Sequence, residues 1–332
     1  MIIHLPKNIS YAYVQELADH VGALCLEKAD HFVLITNHTV KQLPATLESM
    51  ALAHWTFNTD MQLSSREYHP ETHRIAIGDT YIGGDGSNQL MIAGPCAIES
   101  REQIEQSCQM LKQHGIRVLR AGCYKPRTSP YTFRGLGEDG LKLLAEMREK
   151  YGLLIATEMR DATHADKVVE YADIVQVGAK AMYDHGLLTA AGQSGKPVIL
   201  KRGFGSTLQE LVNCADFIMS CGNDQVILCE RGIRSFETNT RFTLDLCGVA
   251  WLKEHCNLPI ILDPSHAMGY AYGIGDLARA CTAMGIDGLL IETHPCPQCA
   301  QSDAPQQLNH QQFGEMYTSL KPIAHAVGKT LI

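Results

Sequence analysis

A thiol, an imidazole and two carboxylates stand in short, distinctive contexts: Cys96 in Ala93-Gly94-Pro95-Cys96, His266 in Asp263-Pro264-Ser265-His266, Glu292 in Ile291-Glu292-Thr293, and Asp303 after Gln301-Ser302. Sulfur, nitrogen and oxygen donors in one set suit a borderline divalent metal ion such as Mn2+, Fe2+, Co2+ or Zn2+, and suit Ca2+ or Mg2+ poorly. Taken singly, each has a plainer reading: a buried cysteine acts as a small hydrophobe, and Asp263 satisfies the histidine. The metal reading rests on the four converging. A second set is cationic: Arg120, Lys125, Arg127, Lys180, Lys201 and Arg231. Six cations at one mouth repel one another unless anions compensate them. Arginine offers a planar fork to phosphate or carboxylate, and lysine a compact charge. Together the sets describe a site for a phosphorylated, carboxylated substrate, with Glu158 as the candidate for proton transfer.

Residues so far apart meet only if the fold gathers them. Apolar strand candidates at 90–93, 118–121, 153–156, 174–177, 198–200, 226–228, 260–262 and 288–291 alternate with helical stretches at 103–113, 141–150, 208–220 and 277–284. Such βα units imply a parallel sheet, and eight of them over ~240 residues fit a closed (β/α)8 barrel better than an open doubly wound sheet. Every strand end contributes a candidate: Cys96; Arg120 with Lys125 and Arg127; Glu158; Gln176 with Lys180; Lys201 with Arg202; Glu230 with Arg231; Asp263 with His266; and Glu292 with Asp303. In a barrel those ends share the face that carries the active site.

The first sixty-odd residues differ in texture. Strand patterns at 2–5, 23–27, 32–36 and 54–57 and helical patterns at 11–21 and 43–50 give the order βαββαβ, a ferredoxin-like unit. A hairpin is expected from 74–77 and 80–82. The predicted fold class is therefore α/β: a small ferredoxin-like domain over 1–65, a connector with a β-hairpin over 66–88, and a (β/α)8 TIM barrel over 89–332.

Bulk properties bound the partners. The 332 residues carry 28 Lys plus Arg against 36 Asp plus Glu, a net charge of −8, which argues against nucleic acid and anionic membranes. Residues 1–10 lack a secretory pattern, no apolar run reaches the ~18 residues of a membrane span, and 12 Cys read as reduced thiols, so a cytoplasmic protein is expected. Gly135-Leu136-Gly137-Glu138-Asp139-Gly140 matches a dinucleotide fingerprint but follows a polar loop and carries two carboxylates, so it reads as a loop entering a helix. Cys296-Pro297-Gln298-Cys299 reads as incidental thiols, with one of them a candidate to pair with Cys96 under oxidation.

The motifs Ala93-Gly94-Pro95-Cys96, Lys125-Pro126-Arg127-Thr128-Ser129 preceded by Arg120, Lys201-Arg202-Gly203, Glu230-Arg231-Gly232, Asp263-Pro264-Ser265-His266 and Glu292-Thr293-His294-Pro295 resemble those of 3-deoxy-D-arabino-heptulosonate 7-phosphate (DAHP) synthase, in its short microbial form with an N-terminal extension. The resemblance implies metal-dependent condensation of phosphoenolpyruvate with erythrose 4-phosphate, the first step of the shikimate pathway. It implies Cys96, His266, Glu292 and Asp303 as metal ligands. Arg120, Lys125, Lys180, Lys201 and Arg231 would hold phosphoenolpyruvate, and Arg127 and Thr128 the erythrose phosphate. Lys125, Glu158 and His266 are the catalytic candidates. It also implies a homo-oligomer, dimer or tetramer, with tyrosine or phenylalanine as effector at the N-terminal domain. Two places depart from the family: Lys180 stands where Gly-Ala-Arg is usual, and the segment after His266 carries Tyr270 and Tyr272 where more charge is expected. The alternatives are 3-deoxy-D-manno-octulosonate 8-phosphate synthase, which uses arabinose 5-phosphate, and a non-catalytic aromatic amino acid sensor. Lys125 to Ser129 and the N-terminal unit disfavour the first, and the intact ligand set the second.

Overall fold

The computed structural model describes every residue except Pro126, Arg127, Thr128 and Pro130, so the expected roles of Arg127 and Thr128 lie outside the described residues. The chain opens with β1 (Ile2–Pro6), α1 (Tyr11–Val21), β2 (Leu24–Glu27), β3 (His31–Ile35) and β4 (Ala53–Trp55), whose strands form an antiparallel sheet in the order β2-β3-β1-β4. Helix α1 starts where the Ser10 hydroxyl accepts the Tyr13 N–H and stops at Gly22, which takes the left-handed conformation at φ 63°. Alternation sorts β1 between two cores. Ile3 and Leu5 face Val14, Leu17 and Ala18 of α1, while Ile2 joins Val33 and Ile35 in the larger core shared with the barrel's helices.

The helix expected at 43–50 is a run of turns, in which Leu47 N–H donates to Pro44 O and Ala51 N–H to Leu47 O. Within that stretch Leu47 alone is fully buried. One anchor is not the apolar stripe that a short helix needs from its surroundings.

The hairpin β5 (Arg74–Ile77) and β6 (Thr80–Gly83) follows. Eight strands then pair in parallel, each with the next: β7 (Asn88–Gly94), β8 (Val118–Arg120), β9 (Leu154–Met159), β10 (Ile174–Val177), β11 (Val198–Lys201), β12 (Val226–Glu230), β13 (Ile260–Leu262) and β14 (Gly288–Glu292). Strand β14 returns to β7 in register from Gly288 opposite Leu90 to Glu292 opposite Gly94, which closes the barrel. A short β15 (Thr330–Leu331) adds to the start of β7. Around the barrel run α2 (Arg101–His114), α3 (Glu138–Tyr151), α4 (Ala165–Tyr171), α5 (His185–Gln193), α6 (Leu208–Ser220), α7 (Leu246–His255), α8 (Pro264–Met268), α9 (Ile274–Ala283) and α10 (His310–Ala326).

Inward residues such as Leu90, Ile92, Val118, Ile174, Ile199, Ile227, Ile261 and Leu290 form the barrel's own core, and Ile75, Ile77 and Ile82 of the hairpin pack against it. The hairpin thus stoppers the end where strands begin and leaves the other end for chemistry. The chain just before the connector is pinned by side chains: Asp216 of α6 accepts the N–H groups of Gln62, Leu63 and Ser64, and Asn257 Nδ2 donates to Leu63 O and Ser65 O.

Candidate active site

Strand ends deliver the site. Arg120 ends β8, Glu158 lies in β9, Lys201 ends β11, Arg231 follows β12, and Glu292 ends β14. His266 is held by local structure: Asp263 caps α8, its Oδ1 accepting the His266 N–H at 3.0 Å, with Pro264 at the first helical position. A cavity of about 330 Å³ collects Lys125, Glu158, Lys180, Lys201, Arg231, His266 and Asp303. Gly178 lets Glu158 in, because a Cβ there would stand 2.0 Å from Glu158 Oε1.

Donor atoms of Cys96, Glu292 and Asp303 all lie within 4.8 Å of one another. His266 sits beside them, its Nε2 3.5 Å from Glu292 Oε1. Its Nδ1 lies 2.7 Å from Asp263 Oδ2, near enough for a hydrogen bond though poorly aligned for one. Asp303 is the only non-glycine among the described residues with positive φ, at 49°, a left-handed conformation that Asp tolerates better than most. A thiol, two carboxylates and a neighbouring imidazole fit a borderline divalent cation.

Charges are set by burial and neighbours. Burial pushes the Cys96 thiol up to about 12, with Glu292 adding to the effect and Lys125 opposing it. Burial also works against ionisation of Asp303, but His266, Lys125 and Arg241 hold it at about 2. For Glu292 burial is outweighed by His266 and Arg120, and the net shift is downward. Burial lowers His266, with Asp263 and Glu292 pulling the other way, and the net shift is toward the form with a free lone pair.

The cations are not equivalent. Arg120 Nη1 donates to Pro95 O at 2.7 Å and to Glu292 Oε1 at 2.9 Å, and Lys201 Nζ donates to Asp263 Oδ2 at 2.6 Å. Lys125 Nζ lies 3.1 Å from Cys96 Sγ. Among the five described cations of the set, protein carboxylates thus supply part of the compensation that mutual repulsion demands, at Arg120 and Lys201. Arg231 differs: it is 4% exposed, lines the cavity, and its Nε and Nη1 have no hydrogen-bond partner among the described residues. A buried guanidinium with idle N–H groups facing a cavity calls for an anion.

Arg202 and Glu230, also at strand ends, turn away from the mouth. Arg202 Nη1 donates to Glu230 Oε2 at 2.9 Å and to Asp245 Oδ2 at 2.8 Å, and Glu230 Oε1 accepts Gly232 N–H at 2.7 Å, which fixes the segment bearing Arg231. The Cys296 and Cys299 thiols, expected free, are joined to each other in a disulfide, and Cys96 instead meets Ser302 Oγ at 3.0 Å. Gly137 precedes α3, so the glycine-rich run is a helix entry, as read from sequence.

Sequence reasoning missed Phe204, Arg234, Arg241 and Phe242 of the cavity wall and the buried pair Gln306 and Gln307. Their only signal was proximity along the chain to Lys201, Arg231 or Asp303, for neither glutamine nor phenylalanine advertises such a role.

The model of the DAHP synthetase I family matches residues 61–327. The phospho-2-dehydro-3-deoxyheptonate aldolase of Thermotoga maritima is 45% identical over 267 residues, 80% of this chain and 78% of that protein. A 2-dehydro-3-deoxyphosphooctonate aldolase of Thiobacillus denitrificans is 32% identical over 252 residues, 70% of this chain and 89% of the relative. The crystal structure of the Thermotoga maritima phospho-2-dehydro-3-deoxyheptonate aldolase (DAHP synthase) aligns with a TM-score of 0.81 at 38% identity, covering 100% of this chain and 99% of that one. Sequence and fold agree over most of the chain: it belongs to the DAHP synthetase I family.

Proposed function

We infer that this protein is a DAHP synthase, a transferase that condenses phosphoenolpyruvate with erythrose 4-phosphate to DAHP and phosphate at the head of aromatic amino acid biosynthesis. Family membership and 45% identity to the Thermotoga enzyme carry the activity, and the octulosonate relative at 32% identity is more distant. The observation that joins activity to geometry is Arg231, buried at the wall of a cation-lined cavity beside Cys96, Glu292 and Asp303, with two N–H groups that meet no acceptor among the described residues.

In this reading Cys96, His266, Glu292 and Asp303 hold a divalent ion, which when bound acts as a Lewis acid toward the aldehyde carbonyl. Arg231, Lys180, Lys201, Arg120 and Lys125 bind the phosphate and carboxylate of phosphoenolpyruvate and fix its C3 methylene against the aldehyde carbon. Arg127 and Thr128 take the phosphate of the acceptor. The new bond joins C3 to that carbon, whose oxygen takes a proton. Water then adds at C2 and inorganic phosphate leaves. Lys125 Nζ would donate to the aldehyde oxygen, and Glu158, steadied by Gln176 Nε2 at 3.2 Å, would take the proton of the water.

The antiparallel sheet and α1 are read as a ferredoxin-like regulatory domain over 1–65, with 66–88 as connector and 89–332 as barrel. The strand order and the match of the full-length Thermotoga structure across the whole chain support that division. Tyrosine or phenylalanine is the proposed effector, in a homo-oligomer. Ten of the twelve cysteines are free, which suits a reducing cytoplasm, with the Cys296–Cys299 pair as the exception. One assay tests the reaction: phosphoenolpyruvate loss with erythrose 4-phosphate or arabinose 5-phosphate, before and after EDTA. Faster loss with arabinose 5-phosphate, or EDTA-insensitive turnover, sinks this reading.

A further inference from the structure

Gln306 is 2% exposed, and its amide spans two charged side chains. Nε2 donates to Glu292 Oε2 at 2.5 Å, and Oε1 accepts from Arg241 Nη1 at 2.5 Å. Arg120 holds the other oxygen, Oε1, of Glu292, so both oxygens of a fully buried carboxylate have assigned partners. Arg241 lines the cavity and stands 3.8 Å from Asp303 Oδ1. The chain thus runs from a cation at the cavity wall, through one neutral amide, to a carboxylate at its floor.

The amide is suited to that position by polarity. Its nitrogen end only donates and its oxygen end only accepts, so a carboxylate on one side and a guanidinium on the other fix a single orientation. Glutamate at 306 would set an anion against Glu292, and methionine would fill the space with neither donor nor acceptor. The adjacent Gln307 acts on the sulfur side, where its Oε1 accepts the Cys96 N–H at 3.0 Å and its Nε2 donates to Ser302 O at 2.8 Å.

We propose that Gln306 is a positioning residue that couples Arg241 to Glu292 and so fixes the carboxylate for the divalent cation. The proposal rests on the reading of Cys96, Glu292, Asp303 and His266 as ligands. Groups that orient a ligand side chain are commonly worth 10- to 100-fold in metal affinity.

The test titrates Co2+ into the metal-stripped full chain and follows the thiolate-to-cobalt absorption band, with the melting temperature of the metal-free protein as a check on folding. Wild type without such a band, or Cys96→Ser with unchanged affinity, refutes the ligand reading itself and with it the proposal. With the band present in wild type, Gln306→Met is expected to raise the Co2+ Kd about tenfold. Arg241→Met should raise it severalfold, in part through its own contact with Asp303, and the losses should combine to less than their product in the double variant, because the share that passes through the amide is common to both. A Kd for Gln306→Met within twofold of wild type, or losses that multiply in the double variant, overturns the proposal. Should Gln306→Met fail to fold, Gln306→Glu, which keeps the size and sets an anion against Glu292, takes its place and is expected to weaken Co2+ binding likewise; an unchanged Kd there, or in Arg241→Met, whose side chain is 39% exposed, also overturns the proposal.

Discussion

Arg120 Nη1 stands 2.9 Å from Glu292 Oε1, with the two side chains 4% and 0% exposed. Their strands, β8 and β14, flank β7 on opposite sides, so the pair bridges the closure of the barrel over the end of β7. Gly94 makes room for the crossing, since a Cβ there would lie 2.2 Å from Arg120 O. A substrate-binding candidate and a metal-ligand candidate are thereby joined in one buried unit.

Removing one member of that unit leaves a buried charge uncompensated. Arg120→Met is expected to lose about 3–5 kcal/mol in urea unfolding with EDTA present. Arg120→Met combined with Glu292→Met should regain most of that stability while staying inactive. A single variant as stable as wild type would contradict the coupling.

Arg231 is expected to contribute binding rather than fold. Arg231→Met should lower kcat/KM for phosphoenolpyruvate by roughly 10- to 100-fold, the worth of one charge-assisted contact, mainly through KM. Its melting temperature should hold or rise, because a desolvated cation has been removed. Steady-state kinetics and thermal melting check both halves.

Without a cation the Cys96 thiol, pushed up to about 12, is protonated at neutral pH. Binding of a divalent ion as thiolate should therefore release about one proton per chain between pH 7 and 8. Calorimetric titration in two buffers of different ionisation enthalpy counts that proton, and Cys96→Ser should release none.

The N-terminal sheet is expected to loosen in mild acid. His4 sits among Trp55, His31 and Tyr68, its Nε2 2.8 Å from the Tyr68 hydroxyl, and burial together with His31 lowers it to about 4 from a usual 6.5. A base whose folded value is depressed favours its neutral form, so its contribution is intact above about 6.5 and is lost as pH falls from there toward 4. Trp55 fluorescence in a Trp251→Phe background should shift across that window, and His4→Gln should remove the shift.

Lys180 lines the cavity with a point charge where the family resemblance calls for a guanidinium fork. Lys180→Arg should lower KM for phosphoenolpyruvate severalfold with little change in kcat. An unchanged or raised KM would show that the lysine is not the limiting contact.

All eight barrel strands were legible because each is a short apolar run bounded by polar loops, a signal contained within a handful of neighbouring residues. The segment 43–50 misled because its residues have acceptable helix propensity, while the packing that a short helix needs is present only at Leu47. At the ends of β11 and β12, Lys201 and Arg231 enter the mouth and the adjoining Arg202 and Glu230 turn away, since successive side chains point to opposite faces. Composition could not say which neighbour faces in.

The residues alone specified the kinds of group available, their places at strand ends and the alternation that demands a closed parallel sheet, all properties of near neighbours in the chain. Which atoms meet was decided only by closure of β14 on β7, which brings Glu292 and Asp303 to Cys96 across some two hundred residues. The same closure gave Gln306 two charged partners, paired Arg120 with Glu292 and left Arg231 with donors that no described residue satisfies. Partnership and burial depend on three-dimensional distance, and a linear order of residues carries that distance only after the chain has folded.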